Sequence, residues 1–370
     1  MCGACRLIQL REPPPVSAVM PRASWIRYNE PEAHLDDFVE RLLEEPRLTP
    51  CGLGARTALG LGPFEEPLLR RLAARGLATN SPNLLGEDQA GGATRDGCFP
   101  YLETWQARLN PQNVAKLAAG SERADIVSCR YLLEHCHDPI VALRALRTLM
   151  KPDGVLAVEV PDSGKFLAAL DYCFPWEEHV CYFVEETFAA MAERAGYEVV
   201  KILRYPGRLE DALIGVFRVS QRSERGRDER ARRLPEDQFS LYRAGLAATR
   251  LFAQSRLADV AGPDRDKVAL FGIGHQAIMF VNALNLGNSI GVAADDDPGK
   301  RGCFPPGFGA PVISSGDLIE NDRVALCLLA VSPTSEQKVR ERLAPLHDRS
   351  VQLRSIYAGV AGSIFEGRRL

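Results

Sequence analysis

Eight consecutive positions, Trp176-Glu177-Glu178-His179-Val180-Cys181-Tyr182-Phe183, carry two carboxylates, an imidazole and three aromatic rings. A histidine beside a carboxylate can be tuned as a proton acceptor near neutral pH. The block follows Val155-Leu-Ala-Val-Glu-Val-Pro-Asp162, which reads as a strand entering a βα unit. Ligands of open α/β sheets sit beyond the carboxyl ends of the strands, so a polar cluster just past a strand stands where chemistry occurs. On this basis His179 is the candidate base, with Glu178 beside it, and its ring must border a cavity. The competing explanation makes the histidine a helix cap and the rings core filling.

A second polar run, Arg130-Tyr131-Leu132-Leu133-Glu134-His135-Cys136-His137-Asp138-Pro139, also follows a strand, Ala124 to Ser128. Glu134 and His135 are candidates to hold a metal or a substrate hydroxyl. Asp138 and Pro139 read instead as the cap and first residue of a helix. Tyr28, in the polar-aromatic stretch Trp25 to Pro31, either donates into a pocket or seals the N-terminal segment onto the body.

Two glycine loops follow strands. Val268 to Phe271 leads into Gly272-Ile-Gly274-His-Gln-Ala277, and Asp295 lies 21 positions beyond Gly274. That is close to the ~20 expected of a ribose-binding acid. Such glycines permit a tight turn and close approach to a phosphate at a helix N-terminus, and they serve packing equally well. The earlier loop, Leu59-Gly60-Leu61-Gly62-Pro63-Phe64, has no acid before it, and Pro63 removes a backbone donor. The next strand ends in Asn80-Ser81-Pro82-Asn83, where an amide would replace the usual carboxylate. Gly60, Gly62, Asn80, Arg130 and Gln106, the last on the loop before Asn110-Pro111, are the candidate cofactor contacts.

Cys2-Gly-Ala-Cys5 has the spacing of half a zinc site. Four ligands are needed, and the nearest spare ones, His34 and Cys51, belong to no pair. Zinc on Cys2 and Cys5 therefore competes with two ordinary thiols.

The elements that must position these residues alternate. Strands are expected at Thr57 to Leu61, Ala124 to Ser128 and Val155 to Val160, and helices at His34 to Leu43, Pro67 to Arg75, Pro139 to Met150 and Glu185 to Ala195. The strands Glu198 to Leu203 and Leu213 to Val219 close the run as an edge hairpin. A charge-dense break from Gln221 to Asp237 precedes a helix, Phe239 to Leu257. A second α/β unit follows, with a strand expected over Ser289 to Ala294. The expectation is α/β: two Rossmann-like domains, a mostly parallel sheet with helices on both faces and a smaller C-terminal α/β domain, after a short irregular N-terminal segment. The boundaries are 1–50, 51–222 and 238–370.

The chain has 370 residues, 46% hydrophobic and 25% charged, with a net charge of −3. Nothing in that balance calls for nucleic acid or an anionic membrane. Apolar runs such as Val324 to Val331 are strand-length, no signal peptide is evident, and the scattered cysteines suit a cytoplasmic protein. A small-molecule substrate and a monomer or homodimer are expected.

These pieces, in this order, resemble the S-adenosylmethionine-dependent C-methyltransferases of deoxysugar biosynthesis. Those enzymes have an N-terminal zinc segment, a methyltransferase domain and a C-terminal Rossmann-like domain. Cys2-Gly-Ala-Cys5-Arg-Leu-Ile-Gln-Leu10 resembles the second half of the zinc segment, C-x-x-C-G-L-V-Q. Ala124-Asp125 through His135 resembles an aspartate-strand-histidine segment, and Glu159-Val-Pro-Asp162 the family's fourth strand. Trp176 to Phe183 resembles its Tyr-His-Glu-His-x-x-Tyr-Phe block, with Trp176 and Glu177 in place of the first tyrosine and histidine. Asp297-Pro-Gly-Lys300-Arg-Gly302, Pro306-Gly307 and Pro311-Val-Ile313 resemble the C-terminal pattern.

The resemblance implies carbon methylation of a nucleotide-linked sugar, with S-adenosylmethionine as cofactor and zinc as a further candidate. It implies His179 as the base beside the sugar ketone, Glu178 its neighbour, His135 a substrate contact and Tyr28 a residue closing the site. Gly272, Gly274, Asp295 and Lys300 are the expected substrate contacts in the C-terminal domain. The alternatives are an epimerase, isomerase or lyase on the same scaffold, or a non-catalytic binding protein.

Overall fold

The computed structural model describes residues 1–2, 5–19, 30–46, 48, 56–82, 84, 102–120, 122–176, 178–207, 210–221 and 236–368. Two compact units form, Met1–Ser163 with Glu177–Leu234, and Gly164–Trp176 with Pro235–Leu370. The N-terminal segment belongs to the first unit. Tyr28, Cys51, Glu177 and most of the charge-dense break lie outside the described residues.

The first unit contains β1 (Ile8–Gln9), β2 (Thr57–Gly60), β3 (Ala78–Asn80), β4 (Ala124–Arg130), β5 (Met150–Asp162), β6 (Cys181–Tyr182), β7 (Tyr197–Tyr205) and β8 (Asp211–Val219). Six of these form one sheet in the order β3-β2-β4-β5-β8-β7. The pairs from β3 to β5 are parallel, and β8 runs antiparallel to both β5 and β7. The expected hairpin is therefore present, with β7 on the edge. The chain runs outward from β2 to β3 and then returns to the other side of β2 as β4. That reversal creates a switch-point crevice at the carboxyl ends of β2 and β4.

Side chains alternate between two buried faces. Leu59, Val127, Leu156 and Val158 pack with helices Pro111–Gly120, Pro139–Leu146 and Glu185–Arg194. Ala58, Ile126, Val155 and Ala157 pack with helices Leu35–Leu43 and Glu66–Ala74. A strand covered on both sides reads as a continuous apolar run, as Val155 to Val160 does apart from Glu159. Asp138 caps its helix by accepting the Val141 N–H at 3.0 Å. The helix expected to reach Met150 ends at Leu146, followed by a 3-10 turn, because Met150 already pairs with Ala124 in the β4–β5 ladder.

The second unit contains helix Glu236–Ala261 and β9 (Val268–Phe271), β10 (Val292–Ala294), β11 (Val312–Ile313), β12 (Leu326–Leu329) and β13 (Gln352–Ser355). All pairs in the order β11-β10-β9-β12-β13 are parallel, a Rossmann-like arrangement reversing at β9 and β12. β10 is shorter than the expected Ser289 to Ala294. The Ser289 N–H donates to the Leu286 carbonyl in a turn, and pairing starts only at Val292. Among the described residues no helix is long and apolar enough to cross a membrane.

Candidate active site

The β4–β5 register sets Arg130 opposite Glu159. Arg130 Nε donates to Glu159 Oε2 at 2.5 Å, and Glu159 Oε1 meets His34 Nε2 at 2.8 Å. The guanidinium also donates to the carbonyls of Phe64 and Pro31. Arg130 and Glu159 are 2% and 1% exposed, so the pair is fully desolvated. Burial pushes the Glu159 carboxyl up, but Arg130 and His34 outweigh it and hold the group below its ordinary value.

Gly60 lets a third charge join. A Cβ there would lie 2.6 Å from Glu65 Cβ and 2.9 Å from Leu69 Cδ1. Without one, helix Glu66–Ala74 closes onto β2 and Glu65 reaches across to β4. Glu65 accepts the Arg130 N–H at 2.7 Å and the Ser128 hydroxyl. Burial lifts its pKa to about 7, against the pull of Arg130 and Ser128. Gly60 thus serves packing.

Gly62 differs. Its φ is +136°, and a Cβ there would meet only Leu132 at 3.6 Å and the Arg130 carbonyl at 4.0 Å. Asn80 ends β3 exposed, and the neighbouring Ser81 hydroxyl donates to the Gly60 carbonyl at 3.3 Å. Gly62, Asn80 and Ser81 therefore belong to one corner of the sheet. Gln106 lies on helix Leu102–Arg108 and is buried, a correction to the loop expected there. The next helix begins only at Pro111, with the Asn110 side chain accepting the Asn113 N–H at 3.0 Å. The residues between the two helices are too few for Gln106 to be among them.

Beyond Arg130 the backbone enters a strained left-handed conformation at Tyr131 (φ +49°) and then makes one 3-10 turn, Leu133–His135. His135 Nδ1 lies 2.9 Å from the Glu178 carbonyl. A carbonyl only accepts, so Nδ1 carries the proton and Nε2 the lone pair. Burial pushes the His135 pKa down to about 4, which keeps the ring neutral at physiological pH. The His179 ring stands edge-on to it, with centroids 4.7 Å apart.

Glu134 completes the group. One ligand atom from each of Glu134, His135 and His179 lies within 4.8 Å of the others. Their exposures are 1%, 3% and 8%. Burial drives the Glu134 pKa well above its ordinary value, and its Oε2 has no hydrogen-bond partner among the described residues. Glu178 reaches His135 through its main chain, and the carboxylate that joins the two imidazoles is Glu134.

Backbone bonds pin the cluster. The Val180 N–H donates to the Glu134 carbonyl at 2.8 Å, and the Leu10 N–H to the Val180 carbonyl at 2.9 Å. β1 pairs antiparallel with β6, setting Ile8 opposite Tyr182. The segment that follows Cys5 therefore clamps the histidine block in place. Cys5 is buried, its thiol pushed up by burial, and no third ligand gathers with Cys2 and Cys5 among the described residues. His34 is engaged by Glu159.

In the second unit, Gly272 (φ +91°) permits close packing, since a Cβ would lie 2.6 Å from Val331 Cγ1. Gly274 faces open space at the start of helix His275–Ala283. Asp295 accepts the Ile273 N–H at 2.8 Å and pairs with Lys300 at 2.9 Å, fixing the glycine loop. Trp176 belongs to this unit, and its ring lies 5.0 Å from that of His275.

Sequence reasoning named Arg130, Glu134, His135 and His179. It missed Glu65, Ser128 and Glu159 as a buried network, and treated His34 only as a spare metal ligand. The available signal was Glu159 inside an apolar strand, because a buried charge demands a partner.

A family model described as a methyltransferase domain matches residues 56–202. The ubiquinone biosynthesis O-methyltransferase of Haemophilus ducreyi is 44% identical over 39 residues, 10% of this chain and 16% of that protein. The matched segment thus spans about a sixth of that relative. Among solved structures, the CcbJ methyltransferase of Streptomyces caelestis is 15% identical, covering 52% of this chain and 91% of that one at a TM-score of 0.33. The magnesium protoporphyrin IX methyltransferase ChlM of Synechocystis PCC 6803, with bound SAH, is 16% identical, covering 51% and 83% at a TM-score of 0.34. The match to the methyltransferase-domain model runs from the residue before β2 into β7, across the switch point and the histidine cluster.

Proposed function

We propose that the first unit is an S-adenosylmethionine-dependent methyltransferase that methylates a carbon of a small molecule, most simply a nucleotide-linked sugar. The carrying observation is the edge-on pair of His135 and His179 beside buried Glu134, just past β4. The β2–β3 corner fits the cofactor. Gly62 leaves its turn uncrowded, and the exposed Asn80 amide offers a donor and an acceptor to ribose hydroxyls. S-adenosylmethionine supplies a methyl group on a sulfonium, whose transfer needs chiefly an aligned nucleophile.

His179 is the proposed proton acceptor that generates that nucleophile. His135, neutral and with its proton held on Nδ1, presents Nε2 to a substrate hydroxyl. Protonated Glu134 offers a donor to a developing enolate. Arg130 is a positioning residue in this scheme, tying β4 to β5 and to Glu65. Within the second unit taken by itself, the Gly272–Gly274 loop, with Asp295 and Lys300 fixing it, is a proposed nucleotide contact.

A second function is favoured by one observation. The Glu65–Arg130–Glu159 network occupies the β2–β4 switch point, where a cofactor would otherwise approach the sheet. The same cluster would then move protons without methyl transfer, as in an epimerase, isomerase or lyase. Methyl-labelled S-adenosylmethionine with candidate nucleotide sugars separates the two. Label transfer abolished by His179→Ala supports the methyltransferase, and solvent deuterium exchange into the sugar without label transfer supports the alternative.

A further inference from the structure

We propose that Glu134, His135 and His179 form a binding site for one divalent transition-metal ion, zinc or a cation of similar preference. Three observations carry it. The three ligand atoms lie within 4.8 Å of one another in a buried setting. Glu134 Oε2 has no hydrogen-bond partner among the described residues although the residue is 1% exposed, and a buried polar oxygen left without a partner is costly. The His135 Nδ1–H is held by the Glu178 carbonyl, an orientation typical of metal-ligating histidines, which sets the Nε2 lone pair as ligand.

One carboxylate and two imidazoles select zinc, iron, cobalt or nickel over magnesium and calcium, which take oxygen ligands. Ligand bonds of about 2.1 Å place neighbouring donors about 3–3.5 Å apart, so the cluster closes by up to about 1.5 Å on binding, within the reach of side-chain rotation. The inference uses the cluster of the proposed function but not methyl transfer. Metal and proton compete for the same His179 nitrogen, so an occupied site polarises a substrate oxygen instead of serving as an imidazole base.

The test uses the full chain, stripped with chelator, in a Cys2→Ser/Cys5→Ser background that removes the paired N-terminal thiols. Cobalt(II) titration followed by visible absorption reads one equivalent with nitrogen and oxygen ligation, and zinc competes it off. Glu134→Gln and His179→Gln each weaken cobalt binding at least ~10-fold, with melting curves confirming that the variants fold. Glu134→Gln is close to isosteric and carries the test should a histidine variant fail to fold. Absence of a stoichiometric cobalt spectrum, or binding unchanged by Glu134→Gln, overturns the proposal. No activity enters these readings, so a chain that binds metal but transfers no methyl refutes only the proposed function, and the reverse result refutes only the metal site.

Discussion

Arg130 and Glu159 face each other across parallel strands, Arg130 Nε 2.5 Å from the carboxylate, and neither side chain reaches solvent. The pair anchors a chain of buried polar groups from His34 through Glu159 and Arg130 to Glu65 and Ser128. Everything proposed for the domain stands on this floor at the carboxyl ends of β4 and β5.

Removing one partner leaves the other charge buried. Arg130→Met is expected to cost about 3–5 kcal/mol of unfolding free energy, and adding Glu159→Leu is expected to recover much of it. Urea denaturation of the two variants checks this. A single variant within about 1 kcal/mol of wild type would show the network to be energetically idle.

Gly60→Ala places a methyl group 2.6 Å from Glu65 Cβ. Helix Glu66–Ala74 must shift, and the expected loss is about 1–3 kcal/mol. Thermal melting reads it. Gly62→Ala acts differently, through a φ of +136° that L side chains rarely adopt, and tests the turn rather than the packing.

The pH dependence of stability has two opposed parts. His135 titrates at about 4 when folded against 6.5 ordinarily, so the unfolded chain binds more protons in that window, and stability falls as pH drops through it. Glu65 titrates at about 7 against 4.5, so the folded chain holds the extra proton, and stability falls as pH rises from 4.5 to 7. Glu65→Gln is expected to flatten the alkaline side of this window, and His135→Gln the acid side, in denaturation profiles recorded from pH 4 to 8. Exchange of these two effects between the variants would contradict the assigned protonation states.

Much of this architecture is legible in the residues. Apolar runs separated by helical periodicity set out the six-stranded sheet and the first two strands of the second, and the closing pair of strands pointed to the antiparallel edge. His135 and His179 stand out because each follows a strand. The network below them was less visible, because Arg130 and Glu159 meet only through strand register and Glu65 only through the missing side chain of Gly60. Glu134 was visible as a candidate beside His135, but its meeting with His179 depends on how the backbone turns after β4. Residue type alone does not encode that turn.

His179→Ala is expected to lower turnover by about 10²–10⁴ while leaving cofactor affinity within a few-fold, as removal of a general base does. Asn80→Ala is expected to do the reverse, weakening cofactor binding about 5- to 10-fold through one lost hydrogen bond of about 1 kcal/mol. A single-turnover assay with a separate binding measurement distinguishes them. Equal effects on both quantities would dissolve the division between the β2–β3 corner and the histidine cluster.

The most direct measurement is calorimetric titration of the purified chain with S-adenosylmethionine and S-adenosylhomocysteine. Saturable binding in the micromolar range, weakened by Asn80→Ala and retained by His179→Ala, is the expected result. No heat with either ligand at millimolar concentration would contradict methyl transfer by this domain.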